Sequence, residues 1–329
     1  MKSKMVIGLD GGGTKTLGVV VDEQGCVLSR AKGESSNIQV IGGEKVGWVV
    51  RDLVKTLLSH SASATPIVHL YAGLAGAGRP ADREVIHRAL ESHHLAERIT
   101  IDTDASAALA GAFAGGPGII VISGTGAICF GKSDQGVVYR CGGWGYLLGD
   151  EGSGYYIGQQ ALIAALKHLD GRGPQTVLKS AIEEKYQVAS VDLLISLIYS
   201  GKIDRAEIAA LAPMVFSLSE EGDEVSRQII INAGLEIGKI IAAVGKKLGL
   251  AGKKAQVALI GSVFNQRRVL IPFMQQEACR VVEEVSFIDP QFEPAIGAAI
   301  MALQQEKITI NPTMITNLNR TAGTFLTEA

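Results

Sequence analysis

A glycine-rich hairpin that occurs twice constrains this chain more than any other feature of its sequence. Residues 8–20 contain an apolar strand-like segment, the turn GGGT and a second such segment, and residues 119–131 repeat the arrangement around SGTG. The turn threonines, Thr14 and Thr125, are 111 positions apart, which is the length of a domain. The repeat therefore predicts two related domains that face each other.

The segments around these hairpins alternate between strand and helix patterns. Apolar stretches at 4–10, 16–22 and 26–32 predict an antiparallel meander, and predicted helices and strands then alternate as far as the strand 98–103. A long helix is predicted over 226–249, where apolar residues recur at spacings of three and four. This alternation predicts an α/β fold.

The length of 329 residues suits two domains of ordinary size. The composition is 47% hydrophobic and 19% charged, so each domain can bury a core. We expect the first domain at 1–115 and the second at 116–293. The helix 294–306 is expected to pack back on the first domain, and 307–329 is expected to be a loosely held polar tail.

The charge balance and the cysteines exclude several classes of function. Thirty-one basic against 33 acidic residues give a net charge of −2, which argues against a nucleic-acid partner. The four cysteines include no C-x-x-C pair, so neither a metal knuckle nor a redox pair is expected. Scattered free thiols fit a reducing cytosol, and we therefore expect a cytoplasmic protein.

One uncharged stretch resembles a membrane span in length. Residues 105–131 carry no charge over 27 positions. However, GGPG at 115–118 and SGTG at 123–126 interrupt the stretch, and a lipid-exposed backbone would lose its hydrogen bonds there. We expect a buried helix, a turn and a buried strand, in a soluble protein with no membrane partner.

The first hairpin is a candidate phosphate site. Gly11, Gly12 and Gly13 allow the backbone to approach a phosphate closely, and successive N–H groups can form an anion-binding nest. Thr14 adds a hydroxyl donor, and Asp10 at the strand end can hold Mg²⁺ through water. A plain flexible hairpin is the alternative, although Asp-Gly alone would make a sufficient turn.

The second hairpin, with Gly124 and Thr125 at its turn, offers the same arrangement. Two such nests can clamp the phosphates of one nucleotide. A third candidate is Gly261-Ser262, between a buried strand and a helix start, where anions or ribose hydroxyls can bind. An ordinary serine near an N-cap is the alternative at that position.

Asp104 follows the strand 98–103 and opens a helix of small residues. A carboxylate at the carboxyl end of a strand lies where ligands of α/β proteins collect, so Asp104 is a candidate catalytic residue. The alternative is a helix N-cap, and Asp102 lies close enough in sequence for one of the pair to serve only as that cap.

A dense glycine cluster, GGWGYLLGDEGSG, occupies 142–154. Trp144 can offer an apolar face to a sugar ring, and Asp150 can accept hydrogen bonds from hydroxyl groups. The alternative is a glycine-rich domain junction with Asp150 as an N-cap. Asn37, in GESSNIQ, is a candidate either for gripping a hydroxyl or for shaping a turn.

Taken in order, the motifs GLDGGGTKT, SSN, DTDASAALAG, ISGTG, GGWGYLLGDEGSG and ALIGSVF resemble those of the BadF/BadG/BcrA/BcrD ATPase family. Within it the chain is similar to the N-acetylglucosamine kinase branch, which includes bacterial glucosamine and N-acetylmuramate kinases. The resemblance covers about residues 5 to 305; GGWGxxxGDEGS is its specific part, whereas GGGT and SGTG occur across the sugar-kinase, actin and heat-shock ATPase superfamily. It implies an actin-like (ribonuclease H-like) α/β fold, duplicated into two domains with a central nucleotide cleft.

The resemblance also implies roles for individual residues. Gly11–Thr14 and Gly124–Thr125 would hold the phosphates of ATP, and Ser262 and Gln266 would lie near the adenosine. Asp104 would take the proton from the attacking sugar hydroxyl, the 6-OH. The residues implied to face an amino-sugar substrate are Asn37, Asp104, Gly143, Trp144, Gly145 and Asp150.

One departure from the family pattern bears on the substrate. In the animal N-acetylglucosamine kinases a polar Ser-Asn pair follows SGTG and touches the sugar, whereas this chain has Ala127-Ile128. A pocket without those partners would hold its sugar differently. N-acetylglucosamine, glucosamine, N-acetylmuramate and other amino sugars therefore all remain open as substrates.

Two other functions are weighed against a kinase. An ATPase that activates a radical dehydratase occurs in the same broad family, but it carries an iron–sulfur cluster, which requires paired cysteines. A non-catalytic sugar sensor or repressor would need a DNA-binding module or a basic patch, and the sequence shows neither. The family resemblance also makes a homodimer an expectation.

Overall fold

The computed structural model of the protein describes residues 4–60 and 65–323. The chain forms two compact units. The first unit takes the chain up to Pro117 together with the segment from Pro290 onward, and the second unit is Gly118–Asp289. Each unit contains one five-stranded sheet.

The described residues form ten strands and thirteen α-helices. The strands are β1 (Met5–Gly11), β2 (Thr16–Asp22), β3 (Val27–Gly33), β4 (Ile67–Leu74), β5 (Arg98–Thr103), β6 (Gly118–Ser123), β7 (Ala127–Lys132), β8 (Val138–Gly142), β9 (Lys254–Ile260) and β10 (Glu284–Ile288). The helices are α1 (Ile38–Ile41), α2 (Gly43–His60), α3 (Pro80–Glu91), α4 (Asp104–Ala112), α5 (Gly154–Leu169), α6 (Leu178–Tyr186), α7 (Leu194–Tyr199), α8 (Arg205–Ala209), α9 (Ala212–Glu220), α10 (Glu224–Lys247), α11 (Arg267–Ala278), α12 (Pro294–Gln305) and α13 (Pro312–Ala322). Two 3₁₀ helices are Val191–Leu193 and Ser262–Gln266.

The two sheets have the same topology. The first has the order β3-β2-β1-β4-β5 and the second has the order β8-β7-β6-β9-β10. In each sheet the first three strands along the chain are antiparallel neighbours, and the two later strands add in parallel on the other side of the first. The duplicated α/β fold predicted from the two hairpins is confirmed.

The first sheet has helices on both faces because β1 is apolar on both sides. Met5, Ile7 and Leu9 belong to the core cluster that includes α2 and α3. Val6 faces the other way and packs with α12. A side chain at Gly8 would collide with the α12 backbone, so this glycine allows the helix to lie directly against β1.

The second unit has a core built around β6 and the long helix α10. Ile119 and Val121 of β6 share one cluster with Ile237 and Ile241 of α10. Among the described helices, α10 is the one long and apolar enough to cross a membrane by length and composition. Half of its most apolar window is buried (50%), and the helix packs against α9 and α11, an arrangement typical of a core helix.

The predicted domain boundaries are 115/116 and 293/294, and the observed ones lie nearby, at 117/118 and 289/290. Gly118 is the first residue of β6, so the second unit begins with its own sheet. On the return, the Gln291 N–H donates to the Ala112 carbonyl at 3.2 Å and the Phe292 N–H donates to the Gly111 carbonyl at 3.0 Å. These backbone bonds attach the segment before α12 to the first unit, which no sequence pattern indicated.

Residues 205–220 form two helices, α8 and α9, rather than one continuous helix. Pro213 lies in the first turn of α9, where its missing N–H is tolerated. The same ring would break the interior of one continuous helix. The segment 191–199 is likewise divided, into the 3₁₀ helix Val191–Leu193 and α7.

The expectation of a loosely held tail after 307 is wrong for the part that the structure describes, up to 323. Asn311 caps α13 by accepting a hydrogen bond from the Met314 N–H at 3.0 Å. Met314 and Leu318 are buried, and the Asn317 side chain donates to the Gln24 carbonyl at 2.8 Å. A short stripe in a polar segment is a weak signal, and tertiary packing of this helix decides the outcome.

Candidate active site

The first hairpin, between β1 and β2, is braced by the segment that follows β3. The Ser35 hydroxyl donates to the Gly12 carbonyl at 3.1 Å. The Thr16 hydroxyl donates to the Glu34 carbonyl at 2.6 Å and lies 2.8 Å from the Ser36 hydroxyl oxygen. This hydroxyl network holds one side of the turn, and sequence reasoning found no signal for it.

The glycines of this turn are present for different reasons. A side chain at Gly11 would collide with Ser36, so packing requires that glycine. A Cβ at Gly13 would meet nothing within 4 Å, and one at Gly12 would make only an ordinary contact, 3.5 Å from the Lys15 carbonyl. Neither has a left-handed φ. Neither packing nor backbone conformation within the protein therefore requires glycine at positions 12 and 13. Glycines without such a requirement are expected where a ligand approaches the backbone closely.

Two carboxylates of the first unit interact electrostatically at the end of β1. Burial, then the charges of Asp104 and Glu293, raise the pKa of Asp10 to about 6, against a smaller lowering by Lys15. Burial also raises the pKa of Asp104, although hydrogen bonds from backbone N–H groups oppose the rise. Like charges held in a poorly solvated place favour protonation of one of them. The pair is therefore an electrostatically strained element of the site.

Asp104 is not the N-cap of α4. Thr103 takes that position, and its side chain accepts a hydrogen bond from the Ser106 N–H at 3.1 Å. Asp104 is the first helical residue and accepts a bond from the Ala105 N–H at 2.9 Å through one carboxylate oxygen. The capping interpretation of Asp104 is wrong, and among the described residues no other side chain bonds to its carboxylate.

The neighbouring carboxylate, Asp102, has a structural role. It accepts a hydrogen bond from the Tyr71 hydroxyl at 2.7 Å and pairs with the Arg83 guanidinium at 3.3 Å. Burial and the Asp102 charge raise the pKa of Tyr71 well above its usual value, so the hydroxyl keeps its proton and remains a donor. Asp102 is therefore held by two side chains, whereas Asp104, which looks alike in the sequence, is not.

Glu293 is a site residue that sequence reasoning missed. It lies at the N-cap position of α12 and forms an ion pair with Arg30 at 2.8 Å. Its charge acts on Asp10, as the raised pKa of that group shows. The residue is 189 positions from Asp104 in the chain, and only the return of the chain to the first unit brings it near Asp10.

Asn37 shapes the loop in which it lies. Its side-chain oxygen caps α1 by accepting a bond from the Gln39 N–H at 3.0 Å. A side chain at Gly76, which has a left-handed φ of 83°, would come within 2.6 Å of the same oxygen. The turn-shaping interpretation is therefore correct for that oxygen, and the amide NH₂ remains available to a ligand.

The second hairpin, between β6 and β7, is braced by the glycine-rich segment that precedes α5. The Gly154 N–H donates to the Gly124 carbonyl at 2.7 Å, and the Ser123 hydroxyl donates to the Gly152 carbonyl at 3.0 Å. A side chain at Gly261, whose φ is 109°, would collide with the Ser123 backbone. Gly124, like Gly13, has open space where a side chain would lie.

A cavity of about 350 Å³ opens beside this second hairpin, within the second unit. That volume is in the range of small-molecule sites. Four of the predicted nucleotide-binding residues line it, namely Gly124, Thr125, Ser262 and Gln266. The other walls are largely apolar and come from α8, α9 and the 3₁₀ helix Ser262–Gln266. Gly261 is not among the lining residues, because its role is the close backbone contact with Ser123.

The segment 142–154 has internal reasons for most of its glycines. Gly142, Gly143 and Gly145 have φ values of 76°, 68° and 88°, a backbone conformation that side chains disfavour. Trp144 between them is 66% exposed, and the Arg140 guanidinium stacks on its ring, 4.4 Å from the centroid. One face of the indole is therefore taken by a cation.

Asp150 is buried, at 5% exposure, and has a left-handed φ of 63°. Its carboxylate accepts a hydrogen bond from the Ala127 N–H at 3.3 Å, next to the second hairpin. The cap of α5 is Ser153, which accepts from the Tyr156 N–H at 3.1 Å, so the capping interpretation of Asp150 is wrong. Backbone strain of this kind in a non-glycine residue is concentrated at functional sites.

The repeated five-stranded α/β unit, with a glycine hairpin after the first strand of each copy, defines the actin-like class of ATPase folds. The chain belongs to the BadF/BadG/BcrA/BcrD ATPase family, whose model matches residues 7–302. The family to which the chain belongs is thus one of ATPases.

Curated relatives of this chain include sugar kinases. It is 36% identical to an N-acetylmuramic acid/N-acetylglucosamine kinase of Clostridium acetobutylicum, over 91% of this chain and 98% of that protein. It is 32% identical to an N-acetyl-D-glucosamine kinase of Dictyostelium discoideum, over 93% of this chain and 100% of that protein. The crystal structure of a candidate N-acetylglucosamine kinase from Chromobacterium violaceum has a TM-score of 0.71 at 27% identity and covers 92% of this chain and 99% of its own.

Proposed function

We propose that this protein is an ATP-dependent kinase that transfers the γ-phosphoryl group to a hydroxyl, the 6-OH, of an amino sugar. The relatives named as amino-sugar kinases match over nearly their whole length, which supports the reaction class. The observation that carries the chemistry is the Asp104 carboxylate, free of any capping role and electrostatically coupled to Asp10. Phosphoryl transfer requires mainly positioning and charge neutralisation, and these residues suit both requirements.

The nucleotide is proposed to bind in the second unit. The cavity beside β6 would take the adenosine, with Ser262 and Gln266 at its wall. Gly124 and Thr125 would offer backbone N–H groups and a hydroxyl to the phosphates. Gly11–Thr14 of the first unit would do the same from the first hairpin, where the backbone is unobstructed at Gly13.

Mg²⁺ is proposed to be held near Asp10. No group of three or more potential ligands is gathered anywhere in the described ranges, so the protein offers no closed metal cage. Mg²⁺ commonly uses one or two carboxylates, several waters and substrate phosphates, which fits a single carboxylate beside a phosphate-binding turn. Burial is the main reason why the pKa of Asp10 is raised to about 6, and a bound divalent cation would relieve the further contribution from repulsion by Asp104 and Glu293. When bound, the metal would neutralise the charge of the phosphates.

Asp104 is proposed to orient the sugar hydroxyl and to accept its proton. Its free oxygen can accept a hydrogen bond from a substrate hydroxyl while the other oxygen is fixed by the Ala105 N–H. A raised pKa moves a carboxylate toward neutral pH, which is where a general base works best. Exclusion of water from the site would prevent hydrolysis of ATP.

The sugar is proposed to contact Asn37 and Asp104 from the first unit. From the second unit, Gly143, Trp144, Gly145 and Asp150 are proposed to face it. The substrate classes are N-acetylglucosamine, glucosamine and N-acetylmuramate. We also propose a cytoplasmic location, in keeping with four free cysteines, and a homodimer, in keeping with the family resemblance.

A screen of sugars by coupled ADP release tests the proposal. The candidates are glucose, glucosamine, N-acetylglucosamine, N-acetylmannosamine and N-acetylmuramate, each with ATP and Mg²⁺. We expect ADP release to depend on an amino sugar and a 6-phosphate to form, as seen by NMR of the product. A sugar-independent release rate, or a product phosphorylated at another hydroxyl, would contradict the proposal.

A further inference from the structure

Arg140 is an exposed cation on the strand that leads into the glycine-rich segment 142–154. It belongs to β8, the edge strand of the second sheet, and its guanidinium stacks on Trp144 at 4.4 Å. Within the described residues no carboxylate pairs with it. Nine other arginines of those residues do form ion pairs. The guanidinium of Arg140 is thus positioned but unpaired.

The register of the sheet puts Arg140 on the same face as Ile128. Arg140 pairs with Phe130, and Gly142 pairs with Ile128, so these four residues alternate along one face of β7 and β8. The Ile128 side chain lies directly against Gly143, because a Cβ at that glycine would collide with it. An apolar group and a cation therefore flank the segment that carries Trp144.

This pair of groups suits a particular substituent. A guanidinium presents several N–H donors in a rigid planar fork that matches a carboxylate, and stacking on an indole reduces the freedom it loses on binding. N-acetylmuramate differs from N-acetylglucosamine by a lactyl ether, which has one carboxylate and one methyl group. The carboxylate matches Arg140 and the methyl group matches Ile128.

We propose that Arg140, positioned by Trp144, binds the carboxylate of the lactyl group of N-acetylmuramate and so makes this anionic amino sugar a substrate. The inference rests on the proposed function, in which Trp144 faces the sugar. It assigns a specificity-determining role to a residue outside the glycine motifs. The neutral amino sugars would be bound without this contact.

Kinetics with two sugars test the role of Arg140. We expect Arg140→Gln to lower kcat/KM for N-acetylmuramate by about 10- to 100-fold, the range for a hydrogen bond to a charged group. N-acetylglucosamine should change by less than about threefold, as expected for a surface substitution. Arg140→Lys should give an intermediate loss, because it keeps the charge but not the fork. Arg320→Gln, an exposed arginine on α13, is the matched control and should change neither substrate.

An uncharged analogue of N-acetylmuramate distinguishes binding of the carboxylate by Arg140 from a structural role of Arg140. The methyl ester of N-acetylmuramate should bind the wild type and Arg140→Gln equally, whereas the free acid should bind the wild type more tightly. Binding without turnover can be followed by fluorescence in a Trp48→Phe background, where Trp144 is the remaining tryptophan of the two in the chain. A change in emission on adding the free acid is expected.

The outcomes separate this inference from the proposed function. Phosphorylation of N-acetylglucosamine but not N-acetylmuramate would overturn the role of Arg140 and leave the kinase proposal intact. An equal loss for both sugars in Arg140→Gln would also overturn it, because Arg140 would then act only on the shape of the loop. Phosphorylation of neither sugar would contradict the proposed function itself.

Discussion

The two units have the same sheet topology but present different chemistry beside their glycine hairpins. In the first unit the hairpin follows Asp10, whose pKa is raised to about 6 by burial and by the charges of Asp104 and Glu293. In the second unit the corresponding strand ends in Ser123, and the hairpin borders a cavity of about 350 Å³ with largely apolar walls. The first unit therefore places interacting carboxylates beside its hairpin, whereas the second unit has a largely apolar cavity beside its hairpin.

The hairpins are also braced by different means. Hydroxyl groups of the segment 34–36 hold the first turn, whereas backbone groups of Gly152 and Gly154 hold the second. The open positions at Gly13 and Gly124 are common to both. The shared feature is therefore an unobstructed backbone at one glycine of each turn, whereas the surrounding loops differ in chemistry.

The largest expected effect is the loss of kcat when Asp104 of the first unit is replaced. Asp104→Asn should lower kcat by 10²-fold or more, roughly the range for loss of a general base. ATP binding should change little, because Asp104 is not among the residues proposed to bind the nucleotide, and this can be measured by titration with an ATP analogue. A variant with nearly normal kcat and an intact fold would remove Asp104 from the mechanism.

Asp102→Asn is the matched control for that variant. It lies two positions away but is held by Tyr71 and Arg83. We expect lower thermal stability and a kcat reduced by less than about tenfold, because a structural hydrogen bond is weakened rather than a catalytic group removed. An equal loss of kcat in Asp104→Asn and Asp102→Asn would contradict the assignment of a catalytic role to Asp104 and a structural role to Asp102.

The pH dependence should come from the first unit. Because Asp10 has a pKa of about 6, kcat/KM should fall below pH 6 as the carboxylate becomes protonated and loses its affinity for Mg²⁺. The raised pKa of Asp104 should steepen the fall. A pH–rate profile at subsaturating Mg²⁺, run with Asp10→Asn alongside, measures this, and saturating Mg²⁺ should shift the fall to lower pH because the metal competes with the proton. A flat profile between pH 5 and 7 would contradict the assignment, since about a tenfold loss of ionised Asp10 is expected at pH 5.

The same carboxylate should reduce stability at neutral pH. A carboxyl whose pKa is higher in the folded state than its unfolded value of 3.8 stabilises the fold below that value, and this contribution is lost as pH rises through about 6. Asp10→Asn should therefore raise the free energy of unfolding by about 1–3 kcal/mol at pH 8 and by progressively less toward pH 4. Chemical denaturation at several pH values tests this. A variant less stable than wild type at pH 8 would be the opposite result.

A smaller effect should separate the two kinds of glycine. Gly124→Ala has open space for its methyl group, so stability should stay within about 0.5 kcal/mol, while KM for ATP should rise by about tenfold if a phosphate approaches the backbone there. Gly261→Ala meets the Ser123 backbone at a φ of 109°, so it should lose stability. Thermal unfolding and ATP kinetics of both variants decide the point. Unchanged KM in Gly124→Ala would argue against a phosphate at this turn.

The smallest expected effect is on ATP binding at the cavity of the second unit. Ala210→Leu adds volume at an exposed position that lines the cavity, so it should raise KM for ATP by about threefold without a change in KM for the sugar. The measurement is a pair of saturation curves, one for each substrate. A change in the KM for the sugar alone would contradict the proposal that this cavity binds ATP.

The sequence determined the repeat, the strands of the first sheet, the hairpin of the second sheet and the positions of both glycine turns, whereas β8 and β10 were not predicted. Hairpin patterns are local, because a glycine turn between two apolar segments sets its own strand pairing. The exposed backbone at Gly13 and Gly124 follows from the residue type itself. The motifs in order also predicted the family, which its model matches over residues 7–302.

Tertiary structure decided which carboxylate is free, which glycines face open space and which charges meet. Asp102 and Asp104 are alike in the sequence, and only the positions of Tyr71 and Arg83 separate them. Glu293 acts on Asp10 because α12 returns to the first sheet. Burial and long-range contacts depend on the whole path of the chain, and no local pattern encodes them.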